Sequence, residues 1–157
     1  MATHPFREAW STRDLDAFAA ALSPDVVLHS PVIRAPFSGR EAAVELYGVL
    51  FEAFGEFEIS EEFAAGDAQA FFWQGELQGR PIEGTDLIRL DDQGRIREVR
   101  VMIRPLLDIA AFAAAVGPML AGKRGRVRGL VVLLMTLPLK GILTIADAVA
   151  TRLILHR

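Results

Sequence analysis

The stretch FFWQGELQGRPIEGTDLIRLDDQGRIREVRVMIRP, Phe71 to Pro105, decides the fold, because it holds three period-2 segments joined by two short glycine-bearing turns. Successive side chains of a strand point to opposite faces, so each turn assignment fixes which residues face one another. With Gln93-Gly94 as the tip of the second hairpin, Asp92 pairs with Arg95, Leu90 with Arg97, Ile88 with Val99, Asp86 with Val101 and Gly84 with Ile103. With Gly79-Arg80 as the tip of the first, Leu77 meets Ile82, Gly75 meets Gly84, Trp73 meets Asp86 and Phe71 meets Ile88. One face then gathers the apolar side chains and a single carboxylate, Asp86, in the row Trp73, Asp86, Val101. The other face is charged, with Arg89 opposite Glu98 and Glu83 opposite Arg104, as expected of a partly solvated surface. A row of two glycines, Gly75 and Gly84, predicts a bulge or bend and hence a strongly curved sheet.

Working outward, the residues before this meander read as helices followed by strands. Apolar positions Phe6, Trp10, Leu15, Phe18 and Leu22 predict a helix pair from about Pro5, with Asp14 capping the second after a break at Ser11-Thr12. A strand is expected over Val26 to Ser30. Ser38-Gly39-Arg40-Glu41 has the form of a capping box opening a helix that carries Val44, Leu46, Tyr47, Leu50, Phe51 and Phe54 and ends at Gly55. A further strand over Phe57 to Ala65 precedes the Gly66-Asp67 turn, and helical patterning resumes at Leu106. The fold class is α+β, a curved antiparallel sheet wrapped around N-terminal helices, with more helices at the C-terminus.

The 157 residues suit one domain with a real core, and the composition excludes several chemistries. There is no cysteine, hence no disulfide, thiolate nucleophile or Cys-based metal site. The three histidines, at 4, 29 and 156, have no ligand-like spacing, so no metal is expected; there is neither a phosphate loop nor a nucleophile elbow, so nucleotide functions are disfavoured and no cofactor is expected. The overall charge of −3 is uneven: residues 1–117 hold 10 Arg against 19 Asp plus Glu, whereas 118–157 hold 7 Lys plus Arg against Asp147 alone. The first part has no basic surface for nucleic acid, and the asymmetry predicts a domain over 1–117 and a distinct extension over 118–157. Met1 to Trp10 lacks the apolar run of a signal peptide, so the cytoplasm is the expected compartment.

The order of helix pair, strand, helix and four-strand meander resembles the nuclear transport factor 2-like superfamily, and within it the SnoaL-like group. The residues that carry the resemblance are His29-Ser30-Pro31, Phe37-Ser38-Gly39-Arg40-Glu41-Ala42, Gly84-Thr85-Asp86-Leu87, and Gly94-Arg95-Ile96 running on to Arg104-Pro105. Together they cover about residues 5–117. The resemblance implies a cone-shaped, cystatin-like fold whose pocket lies between helices and sheet. It also implies a function among isomerases, cyclases, hydrolases and non-catalytic binding or dimerisation modules, since this fold constrains activity weakly.

Asp86 is the first candidate for chemistry. Desolvation by Trp73, Val101 and Ile88 disfavours the ionised carboxylate and moves its pKa toward the range of a general acid or base, although a buried structural carboxylate would read the same way. His29, on a strand of apolar neighbours, is a second candidate acid, base or orienting donor, and equally a core histidine bonded to a carbonyl. Trp73, Phe71, Val101, Ile88, Tyr47 and Trp10 are the expected ligand-lining side chains, for a small apolar or aromatic molecule. Arg104 falls on the charged face and is assigned to structure.

The extension reads differently. Lys123-Arg124-Gly125-Arg126-Val127-Arg128 leads into an eleven-residue uncharged run, Gly129 to Leu139, interrupted by Pro138 and too short to cross a bilayer, which needs about 20 residues. Ile142, Ile145, Ala146, Val149, Leu153 and Ile154 then share one helical face. Such helices pack on the domain or on a second subunit, or else lie on a membrane surface with the basic cluster beside them, giving peripheral membrane contact through 119–157, with a true transmembrane span a distant third. Phe72, Leu87 and Met102, apolar on the charged sheet face, predict a homodimer.

Overall fold

The computed structural model describes residues 5–155; His4, His156 and the first residues of the N-terminal reading lie outside them. The chain divides into two compact units, Met1–Ile103 and Arg104–Arg157.

In the first unit α1 (Pro5–Thr12) and α2 (Leu15–Ala21) form the expected pair. Asp14 caps α2, its carboxylate accepting from the backbone N–H groups of Asp16 and Ala17 at 2.9 Å each and so satisfying two of the donors that every helix start leaves open. β1 (Leu22–His29) follows and begins earlier than the Ser23-Pro24 punctuation suggested. β2 (Phe37–Ser38) is a two-residue strand that no period could reveal, and it leads into α3 (Arg40–Ala53). The capping box does not form: the residue before α3 is Gly39 at φ +88°, a left-handed position that suits glycine, and no side chain caps the helix there. Then come β3 (Phe54–Ala65), β4 (Ala68–Leu77), β5 (Arg80–Leu90) and β6 (Ile96–Arg104).

The six strands lie in the order β2-β1-β6-β5-β4-β3. Within this α+β fold β1 runs parallel to β6, which departs from a purely antiparallel sheet. The pairing of β4 with β5 also differs from the expected one, by two residues. Leu77 faces Arg80, Trp73 faces Gly84 and Phe71 faces Asp86, because the tip is Gln78-Gly79, with φ of +53° and +75°, rather than Gly79-Arg80. Two consecutive left-handed residues make the turn whose twist matches a hairpin. A slip of two keeps every side chain on its face, so the separation into apolar and charged faces survives. The second tip is longer by one residue, with the Asp91 N–H donating to Arg95 O at 2.7 Å and Gly94 in the left-handed region.

The two strand glycines do not pair with each other; each makes room for an aromatic ring. A Cβ on Gly84 would come within 2.4 Å of Trp73 Cζ2 and 2.5 Å of Met102 O, and one on Gly75 within 3.1 Å of Phe54 Cδ1. The irregularities that bend the sheet fall in β3, between Phe54 and Phe57 and between Ile59 and Glu61. Over the inner face Phe6, Phe18, Tyr47, Phe71 and Trp73 are buried. Phe6 lies 5.0 Å from Phe71 and Phe18 stacks on Tyr47 at 3.9 Å between centroids. Each such ring, fully buried, stabilises the fold by about 1.5–3 kcal/mol.

The second unit is a helical hairpin of α4 (Leu106–Gly122) and α5 (Arg126–Leu155). The expected interruption at Pro138 is absent: α5 runs through it as one helix of 30 residues. The apolar run read as too short for a bilayer therefore belongs to a helix long and apolar enough to cross one, Arg126–Ile154, in which an 18-residue stretch has a mean hydropathy of 2.0.

Candidate functional site

Asp86 sits in mid-strand on β5, on the face that the alternation assigns to the interior, and is only 2 % exposed. Its hydrogen-bond donor is the Trp73 indole, Nε1 to Oδ1 at 3.2 Å. Trp73 stands opposite Gly84, not opposite Asp86, so the bare glycine lets the ring lie across β5 and its N–H reach the carboxylate two pairs further on. Phe71 faces Asp86 directly, Ile88 is buried beside it on the same strand, and Val101 is half-buried.

From α3 the Tyr47 hydroxyl approaches the same carboxylate, and from α1 the Trp10 indole N–H approaches that hydroxyl. Both fall short of full hydrogen-bond geometry, leaving Tyr47 Oη and Trp10 Nε1 as buried polar atoms without a direct partner among the described residues. Trp10 is held in place by stacking on Phe57, 3.8 Å between centroids. The two tryptophans and the only tyrosine of the chain thus converge on the one carboxylate that is buried among the described residues.

Burial pushes the Asp86 carboxyl up from 3.8 to about 7, against the opposing pull of the Trp73 hydrogen bond and the nearby Tyr47 hydroxyl. An acid poised there exists in both protonation states near neutrality and can give or take a proton. Burial, and then the charge of Asp86, push Tyr47 well above the usual phenol value, so its hydroxyl stays a donor. Transferring an unpaired hydroxyl or amide out of water costs about 1–3 kcal/mol in proteins, so the two donors are costly where they stand.

His29 does not join this cluster. Leu28 turns inward on β1 and His29 outward, where its Nε2 lies 3.3 Å from Glu98 Oε1; Glu98 also meets Arg100 at 2.7 Å and Arg89 at 3.8 Å. His29 is therefore a member of the charged outer face, and neither its pocket reading nor its core reading holds. The expected Arg89 and Glu98 pair is present. Among the described residues no three His, Cys, Asp or Glu side chains gather as a metal site would require. Phe57, which sequence reasoning passed over, completes the aromatic wall, 5.4 Å from Trp73; its alternation with Ile59 was a signal, blurred by the irregularity after Ile59.

The SnoaL-like domain family matches residues 4–99, well over half of the chain and all of the elements just described up to the middle of β6. The chain belongs to that family. Among solved structures, a steroid delta-isomerase from Pseudomonas aeruginosa is 27 % identical with a TM-score of 0.71, covering 76 % of this chain and 88 % of its own. A protein with a cystatin-like fold from Silicibacter pomeroyi is 24 % identical with a TM-score of 0.70, over 76 % and 87 %. One from Sinorhizobium meliloti, assigned as a polyketide cyclase, is 24 % identical with a TM-score of 0.54, over 62 % and 90 %. No curated protein matches the chain. The SnoaL-like part thus has a steroid delta-isomerase and a protein assigned as a polyketide cyclase among its structural neighbours.

Proposed function

We propose that the SnoaL-like domain binds a small apolar ligand bearing a carbonyl or hydroxyl oxygen and that Asp86 moves a proton on it, in an isomerisation, cyclisation or hydrolysis. The observation that carries this reading is the raised pKa of Asp86 beside two buried, unpartnered donors, Tyr47 Oη and Trp10 Nε1. In an isomerisation the carboxylate would take a proton from the carbon next to a carbonyl, the electron pair passing to the carbonyl oxygen. Tyr47 or Trp10 would donate to that oxygen, and the carboxylic acid would return the proton to a second carbon. Trp73 would hold Asp86 in place, and Phe71, Ile88 and Val101 would keep the site apolar.

A second reading rests on a different observation. Asp86, Tyr47, Phe71 and Ile88 are all closed off by the aromatic rings above them, as in a domain whose interior is structural and whose role is to bind or assemble. One experiment separates the two. Asp86→Asn keeps the shape and an acceptor for the Trp73 N–H but cannot exchange a proton. Against apolar ketones, a β,γ-unsaturated steroid ketone among them, the folded variant is expected to lose about 10²-fold or more in turnover while still binding. Turnover equal to that of the unaltered protein would remove the catalytic role, and absence of both turnover and binding across the panel in either protein would favour the structural reading.

A further inference from the structure

A helix that packs in water turns its apolar side inward and its polar side out. α5 instead leaves aliphatic side chains outside over most of its circumference: Leu134 is 63 %, Ile145 67 % and Leu153 78 % exposed, and its less exposed side carries Gly129, Val132, Leu133, Thr136, Lys140 and Leu143. Lys140 and Asp147 are seven residues apart, two turns along one face, the same face as Gly129 and Thr136. The arc opposite that face, exposed along its length, therefore bears no charge between Arg128 and Arg152, and the exposed Asp147 lies off it. That arc is continuous and occupies more than half of the circumference, far wider than the narrow seam through which two copies of a helix would pair.

Three further features agree. The contact between α4 and α5 is made by small residues: a Cβ on Gly129 would lie 2.9 Å from Pro118 O and 3.1 Å from Gly122 Cα, and one on Gly117 3.0 Å from Val132 Cγ1. Close approach through glycine is how helices associate in lipid, where apolar side chains gain nothing by leaving the solvent. The 23 residues between Arg128 and Arg152 rise about 34 Å, matching a hydrocarbon core of about 30 Å with slight tilt. Lys123, Arg124, Arg126 and Arg128 cluster at one end against Arg152 at the other among the described residues, and such a bias keeps the basic end in the cytoplasm.

We propose that α5 is an integral membrane helix, with its basic N-terminal end on the cytoplasmic side. Lys140 and Asp147, on the side that also carries the glycine contact, are kept off the lipid-facing arc, the position in which charged groups within membranes are found.

The full chain, expressed in bacterial cells, is expected to stay with the membranes through washes in 1 M salt and in alkaline carbonate and to leave only in detergent. Leu134→Glu combined with Ile145→Glu, placed in the middle of the lipid-facing arc, should lower the pelleted share at least ten-fold. Because the chain has no cysteine, single Lys123→Cys and Ile154→Cys variants report topology without further change. An impermeant maleimide should reach Ile154→Cys from outside intact spheroplasts and Lys123→Cys only after lysis. A soluble full chain, whether monomer or dimer, release by salt alone, or labelling of both cysteines from the same side would overturn the proposal.

Discussion

The two units of this protein treat apolar side chains in opposite ways. In the first, Phe6, Phe18, Phe71 and Ile88 are wholly withdrawn and the outer sheet face is covered by Arg89, Glu98 and Arg100, joined to one another. In α5 most aliphatic side chains face outward, and only one side, with Gly129, Val132, Leu133, Thr136 and Lys140, is sheltered. Similar residues are used; the difference is the medium against which each surface is arranged. In the first unit the departure from its own rule is Asp86, a charge-bearing group placed where only apolar atoms are expected, and that departure is where the candidate chemistry lies.

Truncation should expose the contrast most strongly. Phe6→Ala removes a ring in contact with Phe18, Tyr47 and Phe71 and is expected to cost about 4 kcal/mol in urea unfolding of the first unit. Leu134→Ala, measured in detergent, should shift the same transition by less than about 0.5 kcal/mol. Equal losses would mean that α5 is a buried helix of an ordinary core. Gly84→Ala comes next. Its methyl would collide with both the Trp73 ring and the Met102 backbone, and a loss of about 2–3 kcal/mol with altered tryptophan fluorescence is expected; an unperturbed variant would show that Trp73 has room to leave Asp86.

The smallest expected effect concerns the outer sheet face. Phe72, 41 % exposed, and Met102, 49 % exposed, stand there with half-buried Leu87, and Phe63 packs edge-on against Phe72 at 5.8 Å. A homodimer through this face would cover them, and Phe72→Glu would weaken it about ten-fold in sedimentation, near 1.4 kcal/mol. Unchanged association would assign dimerisation elsewhere.

Much of this architecture was legible in the alternation of residues 71–105, because parity alone decides which face a side chain occupies. The pairing was less legible. Gln78 carries no preference for the left-handed region that would have named it over Arg80 as a turn residue, and β2 is too short to show any period. Asp86 was found because parity places it among apolar residues. His29 was misplaced because Val26, Val27 and Leu28 are all apolar and their run has no phase; only the ion pair with Glu98 supplies one. Tyr47 and Trp10 could be read as helix-stripe aromatics, but their convergence on Asp86 depends on contacts more than thirty residues apart. In α5, Pro138 suggested a stop, since proline in mid-helix costs about 3 kcal/mol, and nothing local indicated that the helix would continue through it.

The measurement that bears most directly on the site is the titration of the Asp86 carboxyl carbon by NMR, assigned by its loss in Asp86→Asn. With a folded pKa of about 7 against 3.8 for an ordinary aspartate, the native chain holds a proton that the unfolded chain has released. Stability therefore falls as pH rises between those values, by up to about 4 kcal/mol, and levels off above the folded pKa. Asp86→Asn should flatten this part of the profile. A titration near pH 7 that coincides with the fall in stability is the expected result; an Asp86 carbon that titrates below about pH 4.5 would contradict the account, leaving a carboxylate fully ionised in the interior and unable to exchange a proton at neutral pH.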